Sequence, residues 1–118
     1  MIRTLLKSKI HRATVTDTDI HYDGSLGIDA NLMVAADILP YELIQVYNIN
    51  NGERFETYAI KEAPASGAIV LRGAAARKAV RGDRIIITAF APFDDQEHED
   101  FNPAIISLDE QNRPKEDL

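Results

Sequence analysis

Along residues 2–16 apolar and polar side chains alternate loosely: Ile10, Ala13 and Val15 are interrupted by Lys9, Arg12, Thr14 and Thr16. This near period-two pattern predicts an extended strand, bent or broken near Ser8. Lys9 and His11 share parity and face the same side of such a strand. On residue type alone they are two solvated side chains of a half-exposed strand. Asp17-Thr18-Asp19 reads as a turn or the start of a helical turn. Ile20-His21-Tyr22 reads as an extended lead into Gly24, and the apolar triplet Leu26-Gly27-Ile28 follows Ser25. Asp29 is a suitable N-cap for a helix over residues 30–39. The apolar side of that helix is Leu32, Ala35, Ala36 and Leu39, and Pro40 stops it.

The second half carries clearer strand patterns. Residues 43–49 read as a strand, Asn51-Gly52 as a short hairpin turn, and residues 53–60 as the return strand. On the return strand Arg54, Glu56, Tyr58 and Ile60 share one face, and Phe55, Thr57 and Ala59 the other. A loop at residues 63–67 leads to a buried strand, residues 68–71. The run Arg72-Gly73-Ala74-Ala75-Ala76-Arg77 allows close backbone approach and opens a short helix. Its N–H groups could receive a carboxylate, and tight packing of small residues accounts for the run equally well. After a turn at residues 81–83, residues 84–90 form a central buried strand. Residues 94–100 are an acidic, solvated turn or short helix, in which His98 is a poor metal ligand. Residues 103–108 form a last strand, and residues 110–118 read as a frayed polar tail. Six or more strands with two or three short helices define a mainly β protein, a small barrel in a single domain spanning residues 1–118.

Composition narrows the functional classes. The 118 residues suffice for one modest core, and 45% of them are apolar. Cysteine is absent, which excludes disulfides, a thiolate nucleophile and thiolate metal sites. No apolar run approaches the ~18 residues of a membrane span, so the expected setting is soluble and cytoplasmic, with no membrane partner. A net charge of −6 and the lack of tryptophan argue against a nucleic-acid partner. Residues 1–16 nevertheless carry Arg3, Lys7, Lys9 and Arg12 with no acid, a setting that suits a small anionic ligand.

The candidate chemistry lies in Tyr22-Asp23-Gly24-Ser25. Asp-Gly-Ser is a common turn sequence. It is also the minimum a chain needs to cut itself. The serine hydroxyl attacks the preceding carbonyl, converting amide to ester, and glycine leaves that carbonyl open. Elimination of the ester yields dehydroalanine, and hydrolysis of that species yields a pyruvoyl group at a new N-terminus. Such a ketone condenses with amines and serves as an electron sink. A serine hydrolase is disfavoured, because a glycine-flanked nucleophile elbow is missing and only His11 and His21 occur early. Nothing in the sequence demands a metal or a separately bound cofactor.

Several motifs, taken together, resemble the bacterial aspartate 1-decarboxylases, pyruvoyl enzymes that make β-alanine for pantothenate. They are Lys9-Ile10-His11-Arg12-Ala13, Tyr22-Asp23-Gly24-Ser25, Ile28-Asp29, the run from Asn51 to Tyr58, and Gly73-Ala74-Ala75-Ala76-Arg77. The resemblance runs in order from Met1 to about Leu108. It implies a double-psi β-barrel, a homotetramer with active sites between subunits, and autocleavage between Gly24 and Ser25 into residues 1–24 and 25–118. It implies that Ser25 becomes the pyruvoyl cofactor and forms the Schiff base with L-aspartate, and that Tyr58 protonates the carbanion left by CO2. By the same resemblance Thr57 positions the Gly24 carbonyl and contacts substrate, Lys9 and Arg54 hold substrate carboxylates, and Gly73, Ala74 and Ala75 contact substrate through their backbone. Arg54 suits bidentate binding of the carboxylate that stays. Thr57 and Tyr58 fall on opposite faces of a regular strand, so serving one site requires a twist, a bulge or two subunits. The chain departs from the family at Arg72, where asparagine is usual. A larger, purely donating guanidinium is expected to slow or reshape processing or substrate positioning. The alternative is a barrel that does not mature and serves as a binding or assembly module.

Overall fold

A computed structural model describes residues 1–115. Its strands are β1 (Ile2–Thr14), β2 (Asp17–Asp19), β3 (Ser25–Asp29), β4 (Leu43–Asn48), β5 (Arg54–Glu62), β6 (Ile69–Arg72), β7 (Arg84–Asp94) and β8 (Ala104–Ser107). A short helix α1 (Ala30–Ala35) and 3-10 turns at Gly73–Arg77 and Glu97–Asp100 interrupt them. The strands form one barrel-like sheet in the order β2-β6-β3-β5-β4-β7-β1-β8, which is the mainly β class that the pattern predicts. Among the described residues no helix is long and apolar enough to cross a membrane.

Alternation places one face of each strand in the core. Ile10 and Ala13 of β1, Leu26 and Ile28 of β3, Ile44 and Val46 of β4, Ala59 of β5, Ile69 and Leu71 of β6, and Ile85 and Ile87 of β7 are all fully buried. Each large aliphatic side chain so buried stabilises the fold by roughly 1.5–3 kcal/mol before entropy is counted. Strand β1 does bend where expected: its register against β7 shifts between Leu6 and Ser8, and again between Ile10 and Ala13. The second shift holds Arg12 at φ 64°.

Four local readings are corrected. Asp17–Asp19 is a strand, not a turn, because Thr16 binds Ile69 through both backbone and hydroxyl and lays the segment along β6. Residues 20–22 turn rather than extend, with the Asp19 carboxylate accepting from the His21 N–H at 2.9 Å. Helix α1 has Asp29 as N-cap but ends four residues before Leu39. Asp37 takes φ 57°, the Ile38 N–H reaches the Met33 carbonyl and the Asp37 N–H that of Val34. This Schellman arrangement closes on a buried Met33–Ile38 pair and leaves Ala35 and Leu39 exposed. The tail, finally, is not frayed over residues 110–115. Asn112 is 3% exposed; its side chain accepts from the Thr14 N–H and donates to the Thr14 and Gly67 carbonyls. Residues 116–118 lie outside the described residues.

Candidate active site

Ser25 opens β3 and is 2% exposed, whereas Tyr22, Asp23 and Gly24 before it are exposed. The scissile candidate bond therefore sits where a surface turn enters a fully buried strand. On one side β3 runs antiparallel to β6, with Ser25 opposite Arg72. On the other it runs parallel to β5, with Leu26 opposite Ala59. Their predecessors, Ser25 and Tyr58, thus stand level on neighbouring strands.

Gly73 ends β6 at φ +65° and turns the chain into the 3-10 segment. A Cβ at Gly73 would stand 2.6 Å from both Cα and N of Gly24 and 2.8 Å from the Tyr22 carbonyl oxygen. The backbone of this turn packs directly on the Tyr22–Gly24 turn, as the glycine-alanine run allows. Ala74 is exposed, and Ala75 is buried behind it.

Tyr58 is 37% exposed and lines an open recess with Tyr41, Leu43, Glu56 and Thr57. Its ring lies 6.3 Å from that of Tyr41. Thr57 pairs with Ile44 and Tyr58 with Leu43, and the β4–β5 ladder has no register shift. A bulge therefore does not bring Thr57 and Tyr58 to one face.

Lys9 and Arg54 lie elsewhere on the sheet. Lys9 pairs with Thr88, Thr88 with Gln45, and Gln45 with Glu56. Arg54 stacks on Tyr47, its ζ carbon 3.8 Å from the ring centre. The Tyr47 hydroxyl donates to the Gln45 side chain at 2.9 Å, and Thr88 donates to the Gln45 carbonyl at 3.0 Å. Strands β7, β4 and β5 separate β1 from β3. One chain thus holds two groups: Gly24, Ser25 and Gly73 with Tyr58 level beside them, and, further along the sheet, Arg54 stacked on Tyr47 with Lys9 in register with Thr88.

Sequence reasoning missed Tyr47 and Glu62. A two-residue Asn51-Gly52 loop would set Arg54 opposite Ile49. Instead the Asn48 side chain accepts from the N–H groups of Asn50 and Asn51, the loop has four residues, and Arg54 meets Tyr47. Glu62 ends β5 and forms a 2.5 Å ion pair with Arg72; both side chains are about four-fifths buried, at 19% and 20% exposure. The hydrogen bond to Glu62 raises the guanidinium above its ordinary pKa, against the opposing effect of burial. The same guanidinium lies 5.3 Å from the Tyr22 ring centre. Among the described residues no three His, Cys, Asp or Glu side chains are gathered as a metal site.

Fold and turn geometry define a small barrel-like β protein that presents a Gly–Ser peptide bond at a strand entrance. The aspartate decarboxylase family model matches residues 1–115. The aspartate 1-decarboxylase of Syntrophus aciditrophicus is 52% identical over 115 residues, covering 98% of this chain and 99% of that protein. That of Kosmotoga olearia is 55% identical over 116 residues, covering 98% and 99%. That of Thermoanaerobacter pseudethanolicus is 54% identical over 114 residues, covering 97% of each. The chain belongs to the aspartate decarboxylase family and is a decarboxylase.

Proposed function

We propose that the chain cuts itself between Gly24 and Ser25 and then removes the α-carboxylate of L-aspartate, releasing CO2 and β-alanine for pantothenate synthesis in the cytoplasm. The observation that carries this reading is the contact of Gly73 with Gly24, which leaves no room for a side chain and fixes the turn that precedes a buried serine. The Ser25 hydroxyl attacks the Gly24 carbonyl and displaces its own amide nitrogen, giving an ester. Loss of the Ser25 α-proton expels the Gly24 carboxylate, so residues 1–24 leave with a free C-terminus. Water then replaces the nitrogen of the resulting dehydroalanine as ammonia, and a pyruvoyl group caps residues 25–118. The residues present fit that group: a serine at the required position, preceded by Gly24, on whose backbone Gly73 packs with no room for a side chain. When formed, the pyruvoyl ketone supplies an electron sink for a substrate amine.

The remaining roles fall to side chains and backbone. Arg54, stacked on Tyr47, binds the carboxylate that stays, with Lys9 as a second cation. Weaker contact suits the carboxylate that leaves, because tight ground-state binding opposes its loss. Tyr58, half-exposed and level with Ser25, donates the proton. Thr57 orients the Gly24 carbonyl, and the backbone of Gly73, Ala74 and Ala75 lines the substrate. Lys9 and Arg54 are separated from Ser25 within one sheet, and Thr57 and Tyr58 face opposite ways. A homotetramer with sites between subunits reunites these groups.

Denaturing mass spectrometry of purified protein tests the reading. Fragments of residues 1–24 and 25–118 are expected, with borohydride and L-aspartate adding mass only to the larger. A chain that stays whole on long incubation and makes no β-alanine refutes it and leaves the non-maturing module.

A further inference from the structure

Arg72 gathers four separate ties around the cleavage turn. Its backbone pairs with Ser25. Its carbonyl oxygen lies 3.8 Å from where a Gly24 Cβ would stand. Its guanidinium pairs with Glu62 at 2.5 Å and lies under the Tyr22 ring at 5.3 Å. The ion pair spans β3 at Gly27, where a Cβ would overlap the Glu62 carboxylate and stand 2.9 Å from Arg72 Nη1. Strands β5 and β6 are thereby bridged across β3, one turn of the pleat beyond Ser25.

We infer that Arg72 is a positioning residue for self-cleavage: anchored by Glu62, its guanidinium holds the Tyr22 ring and so fixes the Tyr22–Gly24 turn against Gly73. The inference rests on the self-cleavage reading above. It reverses the direction expected from residue type. Asparagine at position 72 is too short to reach Glu62 and offers Tyr22 no cationic face. It also leaves a largely buried carboxylate without its partner, a state the chain relieves by shifting β5 or the turn. The scissile bond has to stay within a fraction of an ångström of attack geometry, and misplacement by about 1 Å costs about a hundredfold in rate.

The experiment follows the disappearance of full-length precursor by mass spectrometry for wild type, Arg72→Asn, Tyr22→Ala and Tyr22→Phe. Melting temperatures are read in parallel in a Ser25→Ala background, where no chain is cut. Arg72→Asn is expected to slow cleavage about tenfold or more. Tyr22→Ala is expected to slow it severalfold with little change in melting, since Tyr22 is 63% exposed. Tyr22→Phe restores what Tyr22→Ala loses, because the ring face is what the guanidinium meets. A purely structural role would not distinguish phenylalanine from alanine at an exposed position. Should Arg72→Asn fail to fold, the Tyr22 pair carries the test alone. Wild type cut normally, with the variants cut at the same rate, overturns the positioning role only. Wild type that never cuts overturns the self-cleavage reading and this inference with it.

Discussion

Replacing Gly73 by alanine separates two effects that usually travel together. The first is conformational: φ is +65° at this position, and a left-handed backbone costs an L-residue about 1–2 kcal/mol. The second is steric. The new methyl stands 2.6 Å from two backbone atoms of Gly24, where ordinary contact begins at 3.4 Å, so the Gly24 backbone retreats by about 0.8 Å. Gly24 is exposed, and it moves without opening the core. The stability loss therefore stays near the conformational cost, a fall in melting temperature of about 3–10 °C. The cleavage rate falls far more, about a hundredfold, because attack geometry tolerates much less than that displacement. Gly82→Ala supplies the control. It has φ +95° and nothing within 4 Å of the added Cβ, so it carries the conformational cost without the displacement. The assay compares precursor half-lives by denaturing mass spectrometry with melting curves of the same proteins. Equal half-lives for Gly73→Ala and Gly82→Ala would show that close packing of Gly73 on Gly24 plays no part in processing.

Two further outcomes test the frame around the site. Asn112→Ala removes three hydrogen bonds at a buried position and places alanine at φ 60°; the loss should be about 3–5 kcal/mol by urea unfolding, and a loss under about 1 kcal/mol would mean that residues 110–115 are not anchored through this side chain. His11 has its pKa lowered from 6.5, first by burial and then by Lys9, Arg12 and Lys115. The folded chain thus resists protonation that the unfolded chain accepts, so His11 contributes no penalty above pH 6.5. As pH falls through that value the penalty grows, and it levels off below the folded pKa. His11→Gln should flatten this limb of the stability–pH curve, and an unchanged limb would assign it to other groups.

What the sequence discloses divides by the distance to the partner. The Asp29 cap and the two strands around Asn51-Gly52 were legible because each depends on residues a few positions away. The strand at Asp17–Asp19 was not, because its partner is β6, some fifty residues later. Asp37, two residues past the end of α1, reads as continuing helix, since residue type alone does not reveal that it adopts the left-handed conformation usually given to glycine. The tail follows the same rule: a polar segment predicts solvent, yet Asn112 finds donors and acceptors on Thr14 and Gly67 that alanine or leucine could not satisfy.

The site adds a sharper case, in the glycines. As letters in a motif they are alike, each a permission for unusual backbone or for close approach. The structure separates them by what fills the absent side chain's place. At Gly52 and Gly82 that place is empty, and only the positive φ calls for glycine. At Gly27 it holds the Glu62–Arg72 pair, and at Gly73 it holds the backbone of the turn that carries Gly24. At Gly67 it meets the Gln111 carbonyl oxygen at 3.0 Å, away from the cleavage candidate, whereas Gly27 and Gly73 flank the Gly24–Ser25 bond, one beyond it on β3 and one across from it at the end of β6. The bond joins an exposed Gly24 to a buried Ser25, and of the two crowded glycines beside it only Gly73 packs on the Gly24 backbone itself. Under the self-cleavage proposed above, the crowding at Gly73 holds the Gly24 side of the bond for attack by Ser25, a link between the fold's register and the chemistry that the motif alone does not carry.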